Sequence, residues 1–261
     1  MKKIEVSECH KYLLNLAKAL HEICVKHDIP YYMLGGTQLG AIRHKGFIPW
    51  DDDMDFGVPR KYYSLLMELL DKELPSDYKV ISIYHSKKYS NGFFKIEDTR
   101  TLIKERNAKT INNGVNIDVF PLDYTNSKTG VFSKNWWIIQ LYKLETYSFA
   151  DLADLGFLRM TFNKIMKLFM RFADNKTIFK FIDKHLIVSK GDYLINHYGA
   201  YAEKEILKKE IFGTPTLYKF EDTELFGIEH FDEYLRHFYN NYMLPPKDGT
   251  SHFHILELYL K

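Results

Sequence analysis

The sequence has only two cysteines and almost no net charge, and both shortages exclude classes of protein. Cys9 and Cys24 fall within one predicted helix, where a rise of ~1.5 Å per residue places them roughly 22 Å apart. Bridged cysteines need Cα atoms within about 7 Å, so no disulfide joins this pair. A reducing, cytoplasmic compartment is therefore expected. The net charge of +2 gives no overall field that would attract nucleic acid.

Long uncharged apolar runs are also missing. No stretch of about 20 apolar residues is present, so no membrane-spanning helix is expected, and residues 1–7 lack the apolar run of a secretory signal. One cationic amphipathic segment, residues 156–188, could lie on the inner face of the cell membrane as a peripheral contact. An ordinary helix packed on the core explains the same pattern. The apolar stripe and the basic residues of this segment are Leu158, Phe162, Ile165, Met166, Phe169, Lys164, Lys167, Arg171, Lys176, Lys180 and Lys184.

The chain does contain enough apolar residues for a core, and helical and strand patterns alternate along it. Hydrophobic residues make up 46% of the 261 positions, which fits one large domain or a core with an insert. Helices are predicted at 7–25 with Ser7 as the cap, 36–43, 61–71, 136–188 and 228–243, and strands at 31–34, 54–58, 78–83, 93–97 and 115–120. We therefore predict an α+β fold in which helices flank a mixed sheet. Its core would occupy residues 1–125, and residues 126–261 would form a mainly helical insert and C-terminal region packed on that core.

The most informative stretch is the run Asp-Asp-Asp-Met-Asp at 51–55. Side chains at i and i+2 of a strand share a face, so Asp53 and Asp55 point the same way. Adjacent buried carboxylates repel each other, and a divalent cation removes that conflict. Asp118 lies in another apolar strand and would complete a three-carboxylate site if that strand runs beside 54–58. Mg²⁺ is the expected ion, with Mn²⁺ as a substitute, because Mg²⁺ combines a few carboxylates with phosphate oxygens of a substrate.

Two other interpretations of the acidic run fail. An EF-hand loop that begins at Asp51 would need Gly at its sixth position and Glu at its twelfth, but these places hold Phe56 and Tyr62. Asp55-Phe56-Gly57 spells the kinase metal motif, but the glycine loop and the catalytic-loop signature that accompany it are missing. Solvated or salt-bridged loop acids are the simpler alternative to a metal site.

A glycine turn precedes the acidic run by fewer than twenty residues. Gly35 and Gly36 stand between a strand and a short helix, where the backbone can approach a phosphate closely and the helix N-terminus favours an anion. The spacing of these glycines and Gly40 differs from the dinucleotide-binding pattern. Basic residues after the helix could neutralise phosphate charge, although a solvated basic turn explains them equally well. The candidate substrate-binding residues are Gly35, Gly36, Thr37, Gly40, Arg43, His44, Lys45, Trp50 and Lys95.

Together these features resemble the nucleotidyltransferase superfold, and three segments resemble the LicD family in particular. The run from Gly35 to Asp55 is similar to the long and specific first motif of that family, residues 116–123 are similar to its second, and residues 242–246 to a third. The family includes bacterial phosphocholine transferases and is related to the fukutin-type phosphoribitol transferases. One departure is at 240–241, where the family usually carries Gly-Asp and this chain has Asn-Asn.

The resemblance implies a metal-dependent phosphotransferase with a nucleotidyltransferase-like catalytic core. It implies a CDP-activated donor, with phosphocholine as the commonest cargo. The acceptor would be a hydroxyl of a cell-surface glycan of the lipopolysaccharide or teichoic acid type, which can be lipid-linked. By the family pattern Asp53, Asp55 and Asp118 would bind the metal and form the catalytic centre. Asp118 or Asp52 could accept the proton of the attacking hydroxyl.

A choline headgroup prefers an aromatic cage, and Trp50, Trp136 and Trp137 are the first candidates for it, with core packing as the alternative. Other functions fit the same residues. A nucleotidyltransferase that moves a nucleoside monophosphate from a nucleoside triphosphate would have nearly the same metal site. A non-catalytic glycan- or nucleotide-binding module would keep the fold, but it has no need of mutually repelling acids. A dinucleotide-dependent oxidoreductase is more remote.

Overall fold

The structure is a computed structural model that describes residues 1–86, 91–105, 113–126, 175–244 and 254–261, together with Tyr89, Thr161 and Leu168. The helices in these ranges are Cys9–Lys26 (α1), Gly35–Arg43 (α2), Arg60–Glu73 (α3), Asn175–Leu186 (α4), Lys209–Phe212 (α5) and Phe231–Tyr239 (α6). The strands are Lys2–Ile4 (β1), Tyr32–Met33 (β2), Asp55–Pro59 (β3), Tyr78–Ile81 (β4), Phe94–Asp98 (β5), Thr101–Glu105 (β6), Asn116–Thr125 (β7), Tyr193–Ile195 (β8), Ile206–Lys208 (β9), Thr216–Phe220 (β10), Thr223–Gly227 (β11) and Ile255–Leu260 (β12). Short 3₁₀ turns at Val6–Glu8 and Ala202–Glu205 precede α1 and β9.

A seven-stranded mixed sheet forms the centre of the fold. Five of its strands follow the order β2-β3-β7-β5-β4, and the pair β8-β9 continues from the second half of β7. Strands β3 and β7 run parallel, whereas β2, β5 and β8 are antiparallel to the strands they join. Two smaller sheets accompany it, with the orders β1-β12-β6 and β10-β11. The predicted mixed sheet flanked by helices is confirmed.

Two apolar clusters pack against this sheet, and successive residues of β7 enter different ones. Ile117 and Val119 belong to the cluster that contains the apolar face of α1, which we call the α1-side core. Phe120 and Leu122 belong to the cluster that contains the buried side chains of α6, which we call the α6-side core. Because alternate residues of a strand share a face, Asp118 turns toward the α6-side core.

Helix α1 has the predicted apolar face but not the predicted cap. Its predicted core positions, Leu13, Leu16, Ala17, Leu20, Ile23 and Cys24, are all buried. Cys9 and Cys24 are free, buried thiols, which confirms that no disulfide joins them. Ser7 lies within the 3₁₀ turn, and the N-cap of α1 is Glu8, which makes no side-chain capping bond. A capping side chain needs extended backbone at its own residue, and the 3₁₀ turn removes that conformation.

Among the described residues after 126, strands occur beside the predicted helices. The helices there are α4, α5 and α6, of which α6 confirms the centre of the helix predicted at 228–243, and the strands are β8 to β12. Four of these five strands have three to five residues. Strands this short show too few alternating apolar and polar residues to be predicted from sequence. Most of the predicted helix at 136–188, including the proposed membrane-contact stripe, lies outside the described residues. The division of the chain at residue 125 stays a prediction.

Among the described helices, none combines the length and the apolar character that a bilayer crossing requires.

Candidate active site

The two acidic strands lie side by side. Asp55 opens β3 and stands opposite Asp118 of β7 in the parallel register. The backbone N–H of Asp118 donates to the carbonyl of Met54 at 2.9 Å, which fixes the strands at this point. Met54 and Phe56 are fully buried in the α1-side core. The Asp55 and Asp118 side chains therefore lie on the other face of the sheet.

These carboxylates border a cavity of about 800 Å³ that opens on the α6 side of the sheet. Part of its wall is acidic, and the start of α2 adjoins that part. The residues of the predicted site that line the cavity are Gly35, Gly36, Arg43, Trp50, Asp53, Asp55 and Asp118, and Asp51 joins them. The residues Thr37, Gly40, His44, Lys45 and Lys95 do not line it.

Burial and crowding raise the pKa values of the acidic cluster. Burial raises the pKa of Asp55 well above its ordinary value, and the neighbouring charges of Asp53 and Asp118 raise it further. Burial and the adjacent Asp53 carboxylate raise the pKa of Asp51 to about 8. Lys95 Nζ lies 2.7 Å from Asp118 Oδ1 and offsets part of this negative charge. The rest of the repulsion favours either protonation or a cation.

The chemistry of this donor set fits a hard divalent cation. Several carboxylates face one cavity and destabilise one another's charged forms, and oxygen ligands of this kind suit Mg²⁺. Within the described ranges, however, no three His, Cys, Asp or Glu side chains are already gathered where they could hold an ion. The strand register and the charge thus favour a metal site, and the metal itself stays a proposal.

Asp52 differs from its neighbours because it turns into the protein. It is 3% exposed, and its Oδ2 accepts the backbone N–H of Ile255 at 2.6 Å. Its Oδ1 lies 3.2 Å from Nδ1 of His254, and this contact, together with the charge of Asp53, raises the pKa of His254 to about 9. Asp52 therefore anchors the start of β12 and does not reach the cavity, where it was expected as an alternative proton acceptor.

The first two residues of α2 need to be glycine. Gly35 has φ +50°, in the left-handed region that favours glycine, and its N–H donates to the Tyr234 hydroxyl at 2.9 Å. A Cβ added at Gly36 would lie 2.6 Å from Asp51 Oδ2. The absence of a side chain at Gly36 lets the acidic run approach the start of α2 closely.

Thr37 connects the glycine turn to the acidic strand, since its Oγ1 accepts the backbone N–H of Asp55 at 2.9 Å. Gly40, in contrast, faces the loop behind α2, where an added Cβ would lie 2.5 Å from the Gly46 carbonyl oxygen. Lys45 is exposed, with φ +59°. Gly40 and Lys45 are therefore correctly placed for the turn that follows α2, but not for the phosphate contact predicted for them.

Arg43 and Trp50 are the predicted residues that border the cavity beyond the glycines. Arg43 Nη1 donates to the Tyr242 carbonyl at 2.9 Å, and its Nε donates to His44 Nε2, also at 2.9 Å. The His44 ring stands edge-on to Trp50, with centroids 6.3 Å apart. His44 thus contacts both Arg43 and Trp50 without lining the cavity itself. The other headgroup candidates, Trp136 and Trp137, lie outside the described residues.

The remaining wall of the cavity is aromatic, and sequence reasoning missed it. It comes from α6 and from the segment before β9, and it includes one further acid. The residues involved are Tyr198, Tyr201, Glu205, Tyr234, Phe238, Tyr239 and Tyr242. Apart from Tyr242, which opens the third motif, no motif marks them, and the aromatic residues of α6 are compatible with ordinary core packing. His254 was missed for the same reason, because only long-range folding brings it to the acidic run.

A comparison with known protein families matches the part of the chain that contains this site. The model of the family described as "LicD/FKTN/FKRP, nucleotidyltransferase domain" matches residues 28–166, just over half of the chain. This chain belongs to the LicD family. The matched range contains the glycine turn, the acidic run and Asp118, so the resemblance drawn from these motifs is confirmed.

Individual LicD-family relatives agree with this assignment. The lipopolysaccharide cholinephosphotransferase LicD of Haemophilus influenzae is 27% identical over 272 aligned positions that cover 100% of both chains. The ribitol 5-phosphate transferase FKRP of Mus musculus is 25% identical over 130 residues, which are 50% of this chain and 24% of that protein. A solved antigenic nucleotidyltransferase-like protein from Paracoccidioides brasiliensis is 15% identical, with a TM-score of 0.27 and coverage of 70% of this chain and 90% of that one. A structural likeness that weak carries no argument.

Proposed function

We propose that this LicD-family protein is a phosphotransferase that moves an alcohol phosphate from a CDP-activated donor to a hydroxyl of a cell-surface glycan. Phosphocholine is the proposed cargo, because the relative that matches along both full lengths is a cholinephosphotransferase. The similarity to FKRP supports the broader class of alcohol-phosphate transfer. The observation that carries the proposal is the register that sets Asp55 opposite Asp118 beside the start of α2.

Asp53, Asp55 and Asp118 would hold the proposed Mg²⁺. A cation bound there would neutralise negative charge on the phosphate of the donor. Phosphoryl-type transfer depends on positioning and charge stabilisation more than on covalent help from the protein. The protein's main contribution to catalysis is therefore to position the donor phosphate and the acceptor hydroxyl beside the acidic cluster.

The start of α2 is the proposed site for the donor's diphosphate. The first N–H groups of a helix have no intrahelical acceptor and favour an anion. Gly36 has no side chain to obstruct this approach, and Arg43 adds a positive charge on the same wall of the cavity. The Tyr242 carbonyl holds the Arg43 guanidinium in position.

Asp118 is the proposed acceptor of the proton from the attacking hydroxyl, because Asp52, the other candidate, does not line the cavity. The hydroxyl oxygen forms a bond to the phosphorus that bears the alcohol, while the bond to the CMP oxygen breaks and CMP leaves with that electron pair. Lys95 keeps Asp118 in position through its 2.7 Å contact. A cytoplasmic site of action, with peripheral contact between residues 156–188 and the membrane, belongs to this proposal.

The test compares donors. The purified protein with Mg²⁺ and a glycan acceptor should release CMP from CDP-choline, and Asp55→Asn should abolish that release. Asp222→Asn is the matched control, since Asp222 is an exposed acid that pairs with Lys18. Pyrophosphate release from a nucleoside triphosphate, without CMP release from CDP-choline, would make the protein a nucleotidyltransferase. Mass spectrometry of surface glycan from a deletion strain identifies the cargo.

A further inference from the structure

A second acidic feature of the cavity lies apart from the aspartate cluster, on the aromatic wall. Glu205 ends the 3₁₀ turn before β9 and lines the cavity. Its Oε1 accepts the backbone N–H of Tyr201 at 3.3 Å. Burial raises the pKa of Glu205 to about 7, and in the part of the chain that the structure describes no cationic side chain offsets this. A carboxylate in such a place lacks a cation to complement its charge.

Aromatic rings surround the same part of the cavity. The Phe238 ring is central, with its centroid 4.9 Å from Tyr234, 5.6 Å from Tyr201 and 6.1 Å from Tyr239. All four rings line the cavity together with Glu205. The cavity therefore offers aromatic faces and one carboxylate on this side, together with the hydroxyls of the three tyrosines.

This aromatic wall begins where the proposed phosphate site ends. The Tyr234 hydroxyl accepts the N–H of Gly35, and a Cβ at Gly35 would lie 3.6 Å from the Tyr239 hydroxyl and 3.7 Å from Asp55 Oδ2. Burial raises the pKa of Tyr234, and the charges of Glu205 and Asp55 raise it further, so both acids act on this phenol. The aromatic wall therefore adjoins the aspartate cluster at Gly35.

We propose that Glu205, with the rings of Tyr201, Tyr234, Phe238 and Tyr239, binds a quaternary ammonium headgroup on the alcohol that the enzyme transfers. This inference rests on the proposed function and names its substrate class. A quaternary ammonium donates no conventional hydrogen bond and spreads its charge over methyl groups, so aromatic faces and a carboxylate are its natural partners. A polyol headgroup would instead need several directional hydrogen bonds. Trp50, the cage candidate from sequence, lies beside His44 and is not among these rings.

Binding of CDP-choline, CDP-glycerol and CMP to the full-length protein without acceptor tests the proposal by calorimetry. CDP-choline should bind about tenfold more tightly than CDP-glycerol, as expected for one carboxylate and several ring faces. Glu205→Gln should remove most of that preference and leave CMP binding within about twofold, since CMP carries no alcohol headgroup. Glu210→Gln, which removes an exposed acid of α5, is the matched control.

A second pair of variants tests the rings without threatening the fold, because Tyr201 is 49% exposed. Tyr201→Leu should weaken CDP-choline binding by about threefold to fivefold, and Tyr201→Phe should recover most of that loss because it restores the aromatic face. An equal loss in both variants would assign the effect to the hydroxyl and would overturn the cage.

The remaining outcomes separate this proposal from the proposed function. Wild-type protein that binds CDP-choline no more tightly than CDP-glycerol overturns the headgroup site even when transfer is observed. A Glu205→Gln enzyme whose kcat falls equally for both donors, with KM unchanged, makes Glu205 a proton acceptor and also overturns it. Glu205-dependent binding of CDP-choline without any CMP release keeps the headgroup site and overturns the transferase.

Discussion

Asp55 and Asp118 are direct neighbours across a parallel pair of strands, in a register that continues with Phe56 beside Val119. The hydrogen bonds of the sheet hold the two backbones together, so the carboxylates cannot separate without disrupting β3 and β7. The protein therefore accepts an electrostatic cost at this point, and that cost is measurable.

Asp55→Asn should make the metal-free protein more stable while it abolishes transfer. The change removes one buried carboxylate that Asp53 and Asp118 repel, and we expect a gain of about 1–2 kcal/mol in the free energy of unfolding at pH 8. Urea unfolding in the presence of a chelator measures it, with Asp222→Asn as the surface control. Lower stability of Asp55→Asn would show that this carboxylate makes net favourable contacts. Added Mg²⁺ should raise the Tm of the wild type more than that of the variant.

Gly36→Ala and Gly40→Ala should fail in different ways although both glycines lie in α2. An Ala at Gly36 meets Asp51 Oδ2, a movable side-chain atom, so we expect a rise of about tenfold in KM for the donor and little loss of stability. An Ala at Gly40 meets the Gly46 carbonyl, which is backbone, and should cost about 1–3 kcal/mol of stability. Steady-state kinetics and thermal unfolding of both variants check this. Equal effects would refute the assignment of Gly36 to the donor site.

His197 should make the protein sensitive to acid. It is 4% exposed, neither ring nitrogen has a hydrogen-bond partner among the described residues, and burial lowers its pKa to about 4. Between that value and the ordinary pKa of about 6.5 the unfolded chain binds a proton that the folded chain does not. Stability should therefore be fully present above pH 6.5 and fall by up to about 3 kcal/mol toward pH 4.

His197→Phe should remove this part of the pH dependence, because the variant has no proton to gain on unfolding. Unfolding by urea at a series of pH values measures the slope, and His230→Phe provides the control at an exposed histidine. A slope between pH 4 and 6.5 that is the same in wild type and His197→Phe would contradict the assignment.

Asp123→Ala should be strongly destabilising because it removes the two closest hydrogen-bond acceptors of the Arg60 guanidinium, which would keep the longer 3.4 Å contact with Asp183. Arg60 donates from Nε and Nη2 to the two oxygens of Asp123, each at 2.8 Å, and these side chains are 16% and 1% exposed. Removing one partner of such a buried pair costs about 3–5 kcal/mol. The double change Arg60→Met with Asp123→Leu should recover part of that loss, because the bidentate pair is removed as a unit while Asp183, 3.4 Å from Arg60 Nη2, loses this partner. Equal instability of the single and double variants in urea would show that packing, not charge, is the cause.

The first half of the fold could be predicted from sequence because its signals are local. The apolar periodicity of α1, the glycine turn and the alternation around Asp55 and Asp118 each occupy a few consecutive residues, and all appear in the structure. Strand β6 was missed, since Thr101–Glu105 contains only two apolar residues and gains its place by pairing with β12, far along the chain.

The aromatic half of the cavity could not be predicted in this way. Glu205 lies in the 3₁₀ turn before β9, Tyr234 in α6 and His254 directly before β12. Nothing near each residue in sequence distinguishes it from a surface acid, a core tyrosine or a loop histidine. Only the packing of α6 against the start of α2, seen in the bond between Tyr234 and Gly35, brings them to one cavity.

The bond between Ile255 and Asp52 gives the acidic run a built-in reporter. The amide proton of Ile255 points directly at a carboxylate that is adjacent in sequence to Asp53. Its NMR chemical shift and its rate of exchange with deuterium should respond when the neighbouring aspartates are titrated, substituted or loaded with an ion. The backbone resonance of Ile255 can therefore report protonation or ion binding in the acidic run without any label placed there.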